Sequence, residues 1–189
     1  MLKKGFMHGG FVLKQSSKCA IGGIVAALSL VMMISVAIIP FLTYALPAAA
    51  GILIVLVVIE IDNKWAFGVY LTISILSILL VADKEVAVMY AAFFGYYPIV
   101  KKIFENHLPK SVAFFLKAVL FIITMLVSYY LMIKLMGLEI NELEKFGMLA
   151  VPILIGMGLV AFIFYDFVLS RLIIIYNLKW KKYFHLYFK

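Results

Sequence analysis

Few residues in this chain could carry chemistry, and their spacing rules out most of it. The three histidines, His8, His107 and His185, are far apart and none has a nearby pair of carboxylates, so no zinc site or activated nucleophile is predicted. The single cysteine, Cys19, excludes an intrachain disulfide and a multi-cysteine metal site, and reads as a small apolar packing residue. Glycine-rich fragments occur around Gly9 and Gly156, but none has the lysine of a phosphate loop. The expectation is a protein that is not an enzyme and holds no cofactor and no metal.

What remains is charge and aromaticity inside apolar sequence. Asp166 is the one carboxylate that reads as intramembrane, and such groups are functional candidates because burying them in lipid is costly. Arg171 follows about one and a half turns later. Either Asp166 is neutralised by a neighbour while Arg171 snorkels to the lipid surface, or Asp166 contacts a partner subunit or couples a movement. A lone carboxylate is too little for a proton relay. Phe93, Phe94, Tyr96 and Tyr97 are able to stack a flat ligand or simply to pack. Thr43, Tyr44, Asp83, Lys84, Glu85, Tyr90, Ser128 and Tyr129 fall near the outer ends of apolar stretches. Thr43, Tyr44, Lys84, Glu85, Tyr90 and Tyr129 are the substrate-binding candidates, since a polar rim over an apolar cavity suits a small amphipathic molecule. The alternative is that they are solvated loop residues.

These residues must be positioned by membrane helices. The 189 residues are 67% hydrophobic and 14% charged, beyond the range of soluble domains. The predicted fold is all-α, a polytopic six-helix transmembrane bundle. Its spans are 19–40, 48–61, 65–81, 86–100, 111–135 and 147–176, with Gly95 and Pro98 bending or ending the fourth and Pro152, Gly156 and Gly158 interrupting the sixth. Residues 1–18 form a cytoplasmic tail, 19–178 the membrane domain and 179–189 a basic cytoplasmic tail. KKIFENHLPK is a charged loop, GLEINELEK a short surface helix, and Lys134 snorkels from the end of the fifth span.

The net charge of +8 is better explained by topology than by nucleic-acid binding, because the charges lie between apolar spans. Six spans put fourteen of the 17 basic residues on the side of the termini and leave three, Lys84, Lys134 and Lys145, on the other. The positive-inside rule then places both termini in the cytoplasm. The excess of Lys over Arg and the abundance of Ile, Phe and Tyr are typical of an AT-rich bacterial genome, so the expected location is a bacterial cytoplasmic membrane.

The first span stacks small residues four apart, Gly22 with Ala26 and Gly23 with Ala27, a face that lets another helix approach closely. With its length, six spans, cytoplasmic termini, this small face, and stretches such as TYALPAAAGILIVLVVIE and AAFFGYYPIVKKIFE, the chain resembles the substrate-binding S components of energy-coupling factor (ECF) vitamin transporters. That resemblance implies non-enzymatic capture of a vitamin-like solute near the outer face, with the first external loop and helices four to six binding it. It also implies docking of the Gly22, Gly23, Ala26 and Ala27 face on a transmembrane T subunit driven by two ATPases. The different-class alternative is a small scaffold protein of an envelope or cell-shape complex, with no ligand.

Overall fold

A computed structural model describes residues 14–136 and 150–180, with side-chain surroundings for 14–131 and 155–179. His8, His185, the 137–145 segment, the 181–189 tail and the side chain of Lys134 lie outside the described residues. The chain is a helical membrane protein: four of its helices are long and apolar enough to cross a bilayer. Among the described residues there is no strand.

Helix α1 (Gln15–Ile34) ends in a 3₁₀ turn at Ser35–Ala37, where the Ser35 hydroxyl donates to the Val31 carbonyl at 2.7 Å. A second 3₁₀ turn, Pro40–Leu42, leads into α2 (Ala45–Glu60). At 16 residues α2 spans roughly 24 Å, short of the roughly 30 Å of a hydrocarbon core. It is nevertheless the central helix. Ala50, Ile54, Val57 and Val58 face α1, α3 and α4, while Val55 faces a second, aromatic core built with α5 and α7. Its small residues permit this: the Ser29 hydroxyl of α1 reaches the Ala50 carbonyl at 3.4 Å.

The next helices start where the sequence supplies caps. Asp62 accepts the Trp65 N–H at 2.8 Å to open α3 (Asn63–Leu80), and Asp83 accepts the Glu85 N–H at 3.0 Å to open α4 (Lys84–Met89). The remaining long helices are α6 (Lys110–Met136) and α7 (Ala150–Ile175). Pro152 sits in the first turn of α7, where its missing N–H is tolerated, and neither Gly156 nor Gly158 breaks the helix.

The expected fourth span at 86–100 is not one helix. After α4 the chain forms a π turn, Tyr90–Phe94, closed by the Gly95 N–H on the Tyr90 carbonyl at 2.9 Å, and then starts α5 (Tyr97–His107). Gly95 fits because a Cβ there would lie 2.6 Å from the Tyr70 ring and 2.8 Å from that of Tyr90. Pro98 opens α5 rather than ending a helix. The expected charged loop KKIFENHLPK is therefore helical through His107, and only Leu108 and Pro109 connect it to α6. Short connections make consecutive helices antiparallel. The starts of α1, α3 and α6 and the ends of α2, α5 and α7 share one lysine-rich end, and Pro40 and Asp83 mark the opposite end.

Candidate functional site

Near the lysine-rich end, α5, α6 and α7 converge on a buried ionic cluster that sequence reasoning saw only in part. Tyr97, Lys101 and Glu105 recur every four residues on α5 and so share one face, as do Asp166 and Ser170 on α7. Lys117 reaches in from α6. The Lys101 ammonium donates to Glu105 Oε1 at 2.7 Å, Asp166 Oδ1 at 2.5 Å and Ser170 Oγ at 2.8 Å, using all three of its protons. Lys117 lies 2.9 Å from Glu105 Oε1 and 3.0 Å from both Asp166 oxygens. The Tyr97 hydroxyl adds a bond to Asp166 Oδ1 at 2.5 Å.

Side-chain exposure is 1% for Lys101, 4% for Lys117, 15% for Asp166 and 18% for Glu105, so these charges are shielded from solvent. Two cations meet two anions, which is what makes such burial tolerable. Glu105 Oε1 and both Asp166 oxygens are committed to the two lysines and Tyr97. Beside it, Lys102 is buried and donates to the Val58 carbonyl at 2.6 Å, tying α5 to the last turn of α2.

One expectation changes here. Asp166 is not the lone buried charge, since Lys101, Lys102 and Lys117, assigned to loops or helix ends, lie inside. The expected neutralising neighbour exists, but it is a pair of lysines from other helices. Arg171 is exposed, stacks its guanidinium 5.1 Å over the Phe167 ring and takes no part. The missed signal was the four-residue spacing from Tyr97 through Glu105, hidden by reading those lysines as a loop.

The aromatic set packs on itself. Phe93 lies 4.8 Å from the Tyr97 ring and 5.0 Å from Phe121, and Phe121 stacks on Phe162 at 5.1 Å. Phe93 and Tyr97 are buried, so neither presents an open face to a flat ligand.

At the opposite end the substrate-binding candidates separate. The Tyr44 hydroxyl donates to Glu85 Oε1 at 3.1 Å, joining the loop after α1 to the start of α4. Partial burial, together with the charge of Glu85, raises the Tyr44 pKa above the ordinary phenol value, so it stays a donor at neutral pH. Replacing Tyr44 with Phe is expected to loosen this loop, read as faster amide exchange over 38–44 with little change in overall stability. Lys84 donates to the Ile78 and Val81 carbonyls at 2.8 and 2.9 Å, closing the last turn of α3. It also lines a groove of about 440 Å³ with Ala87, Ala91, Ala92, Thr124 and Val127. Thr43 spends its hydroxyl on the Pro40 carbonyl. Tyr129 is exposed on α6, and Tyr90 is fully buried against Tyr70, inside rather than at the rim.

The small face of α1 also divides. Gly22 is buried, and a Cβ there would sit 2.9 Å from Val69 Cγ2 of α3, so Gly22 and Ala26 pack inward. Gly23 has nothing within 4 Å, and it and Ala27 are exposed. Gly22, Gly23 and Ala26 border, with Cys19, Lys64 and Gly68, an open groove of about 500 Å³ between α1 and α3. Gly22→Leu is expected to lower the melting temperature and Gly23→Leu to leave it unchanged, measured on purified protein in detergent.

Among the described residues no three His, Cys, Asp or Glu side chains gather as metal ligands. Compared with family models, curated proteins and solved structures, the chain matches none of them.

Proposed function

We propose that this chain is the membrane-embedded substrate-capture subunit of an ATP-driven uptake transporter, similar to an ECF S component, for a vitamin or similar small solute. In this reading it crosses a bacterial cytoplasmic membrane six times with both termini in the cytoplasm, α4, the π turn and α5 together making the fourth crossing. It catalyses no reaction: it binds solute outside and reorients when a T subunit and two ATPases change state.

The observation that carries the reading is the apolar groove at the outer end, with the Lys84 ammonium on its wall and the Tyr44 and Glu85 tie beside it. The lysine count supports the orientation. Without the buried Lys101, Lys102 and Lys117, eleven basic residues remain on the cytoplasmic side against three. The exposed half of the small face, Gly23 and Ala27, supports docking, because a partner helix meets only a glycine and an alanine methyl there.

Two measurements test this. A vitamin panel at about 100 times Kd stabilises a binder by about 2.7 kcal/mol, visible as a melting shift with one member of the panel. Affinity purification from the native membrane is expected to recover a T subunit and ATPases, and Gly23→Leu to lose them while keeping the melting shift. Absence of both a ligand and these subunits would leave the scaffold role instead.

A further inference from the structure

The outer groove is specific in its chemistry. It runs along one face of α6 from Thr124 through Val127 to Leu131, about 10 Å of helix. Its other wall is Ala87, Val88, Ala91 and Ala92, whose small side chains leave the space, and Ile78 of α3 closes it. Thr124 is internally satisfied, its hydroxyl donating to the Leu120 and Phe121 carbonyls at 3.0 Å. Among the described residues on its wall, the only charged side chain is Lys84.

Lys84 stands between two carboxylates in sequence, Asp83 and Glu85, and is paired with neither. Two of its three protons go to the α3 carbonyls, and among the described residues it forms no ion pair. The adjacent carboxylates are engaged elsewhere, Asp83 on the Glu85 N–H and Glu85 on the Tyr44 hydroxyl. Among the described residues, one ammonium proton of a cation in no ion pair is thus left at the end of an apolar trough.

We propose that this groove binds an amphipathic monocarboxylate from the outer leaflet, its carboxylate on Lys84 and its apolar chain along α6 toward Thr124, which rests on the capture reading and names its substrate class. A carboxylate supplies the missing counter-charge and accepts the remaining proton, and an apolar chain matches a wall that offers no further hydrogen bond. A cationic or sugar-like solute would leave either the ammonium or its own hydroxyls unsatisfied.

The test uses full-length protein in phosphatidylcholine nanodiscs, titrated with octanoate and with its uncharged isostere octanamide. Octanoate is expected to bind about tenfold or more tightly than octanamide, the scale of one charge-assisted hydrogen bond. Lys84→Gln is expected to erase that preference, Lys84→Arg to keep it, and Ala92→Phe to abolish binding of both by filling the trough. Equal binding of the two probes, or binding of neither, overturns the proposal. So does Lys84-dependent stabilisation by phosphatidylglycerol discs with no octanoate effect, which would make the occupant a resident lipid. If octanoate fails while a neutral or cationic vitamin binds, capture stands and the carboxylate class falls. If octanoate binds with no ATPases recovered, the site stands and uptake falls.

Discussion

Lys101→Met is expected to cost about 3–5 kcal/mol, the scale of breaking a buried ion pair, and to lower the melting temperature more than any other single charge removal in this chain. Lys101 is almost fully buried and serves Glu105, Asp166 and Ser170 together. Removing it leaves two carboxylates facing Lys117 alone. The double variant Lys101→Met/Glu105→Leu is expected to recover more than half of the loss. It restores charge balance, keeping Lys117 on both Asp166 oxygens at 3.0 Å and the Tyr97 bond to the same carboxylate. A double-mutant cycle in detergent, read by thermal unfolding, checks this; simple additivity of the two changes would show that they do not share a network. Arg171→Met, which removes an exposed cation of the same helix region, is expected to stay within about 0.5 kcal/mol.

The second large effect is expected at Gly51. A Cβ there would fall 2.4 Å from the Phe94 carbonyl oxygen and 2.7 Å from the Tyr165 hydroxyl. The first of these is backbone, in the π turn that re-aims α5, so no side-chain rotation relieves it. Gly51→Val is expected to destabilise by about 3 kcal/mol, the upper part of the range for overpacking, and to lower the yield of folded protein. Because the same turn sets the direction of α5, the ionic cluster should loosen with it, seen as faster amide exchange in α5. Gly68→Ala is the contrasting change. Nothing lies within 4 Å of a Cβ there, and an alanine inside a helix is expected to leave stability unchanged or slightly raised.

These two sites show where reading the chain unaided succeeds and fails. The apolar stretches were legible as helices because length and composition alone decide whether a segment can satisfy its backbone in lipid. The Asp62 and Asp83 caps sit in the polar breaks from which those helices were delimited. The position of the fourth segment's break was legible at Gly95 and Pro98, but its meaning was not. A glycine followed by a proline reads equally as an end or a restart, and the space between Tyr70 and Tyr90 decides for a restart. That restart carries Lys101 and Lys102 into the interior, where composition had put them in a loop.

The candidate site was half legible for the same reason. Asp166 stood out because it interrupts an apolar run, whereas its partners come from α5 and α6, 65 and 49 residues away. The small face of α1 was visible as spacing, yet Gly22 and Gly23 are adjacent in sequence and about 100° apart around the helix. Only the packing of α3 makes one an internal contact and the other an open surface. The sequence by itself determined a helical membrane protein, its apolar segments and its lysine asymmetry, since these follow from local hydropathy and charge. The tertiary structure decided which charges neutralise one another and that Lys84 lies on the wall of an apolar groove, because pairing and groove lining depend on distances between helices that no local pattern encodes.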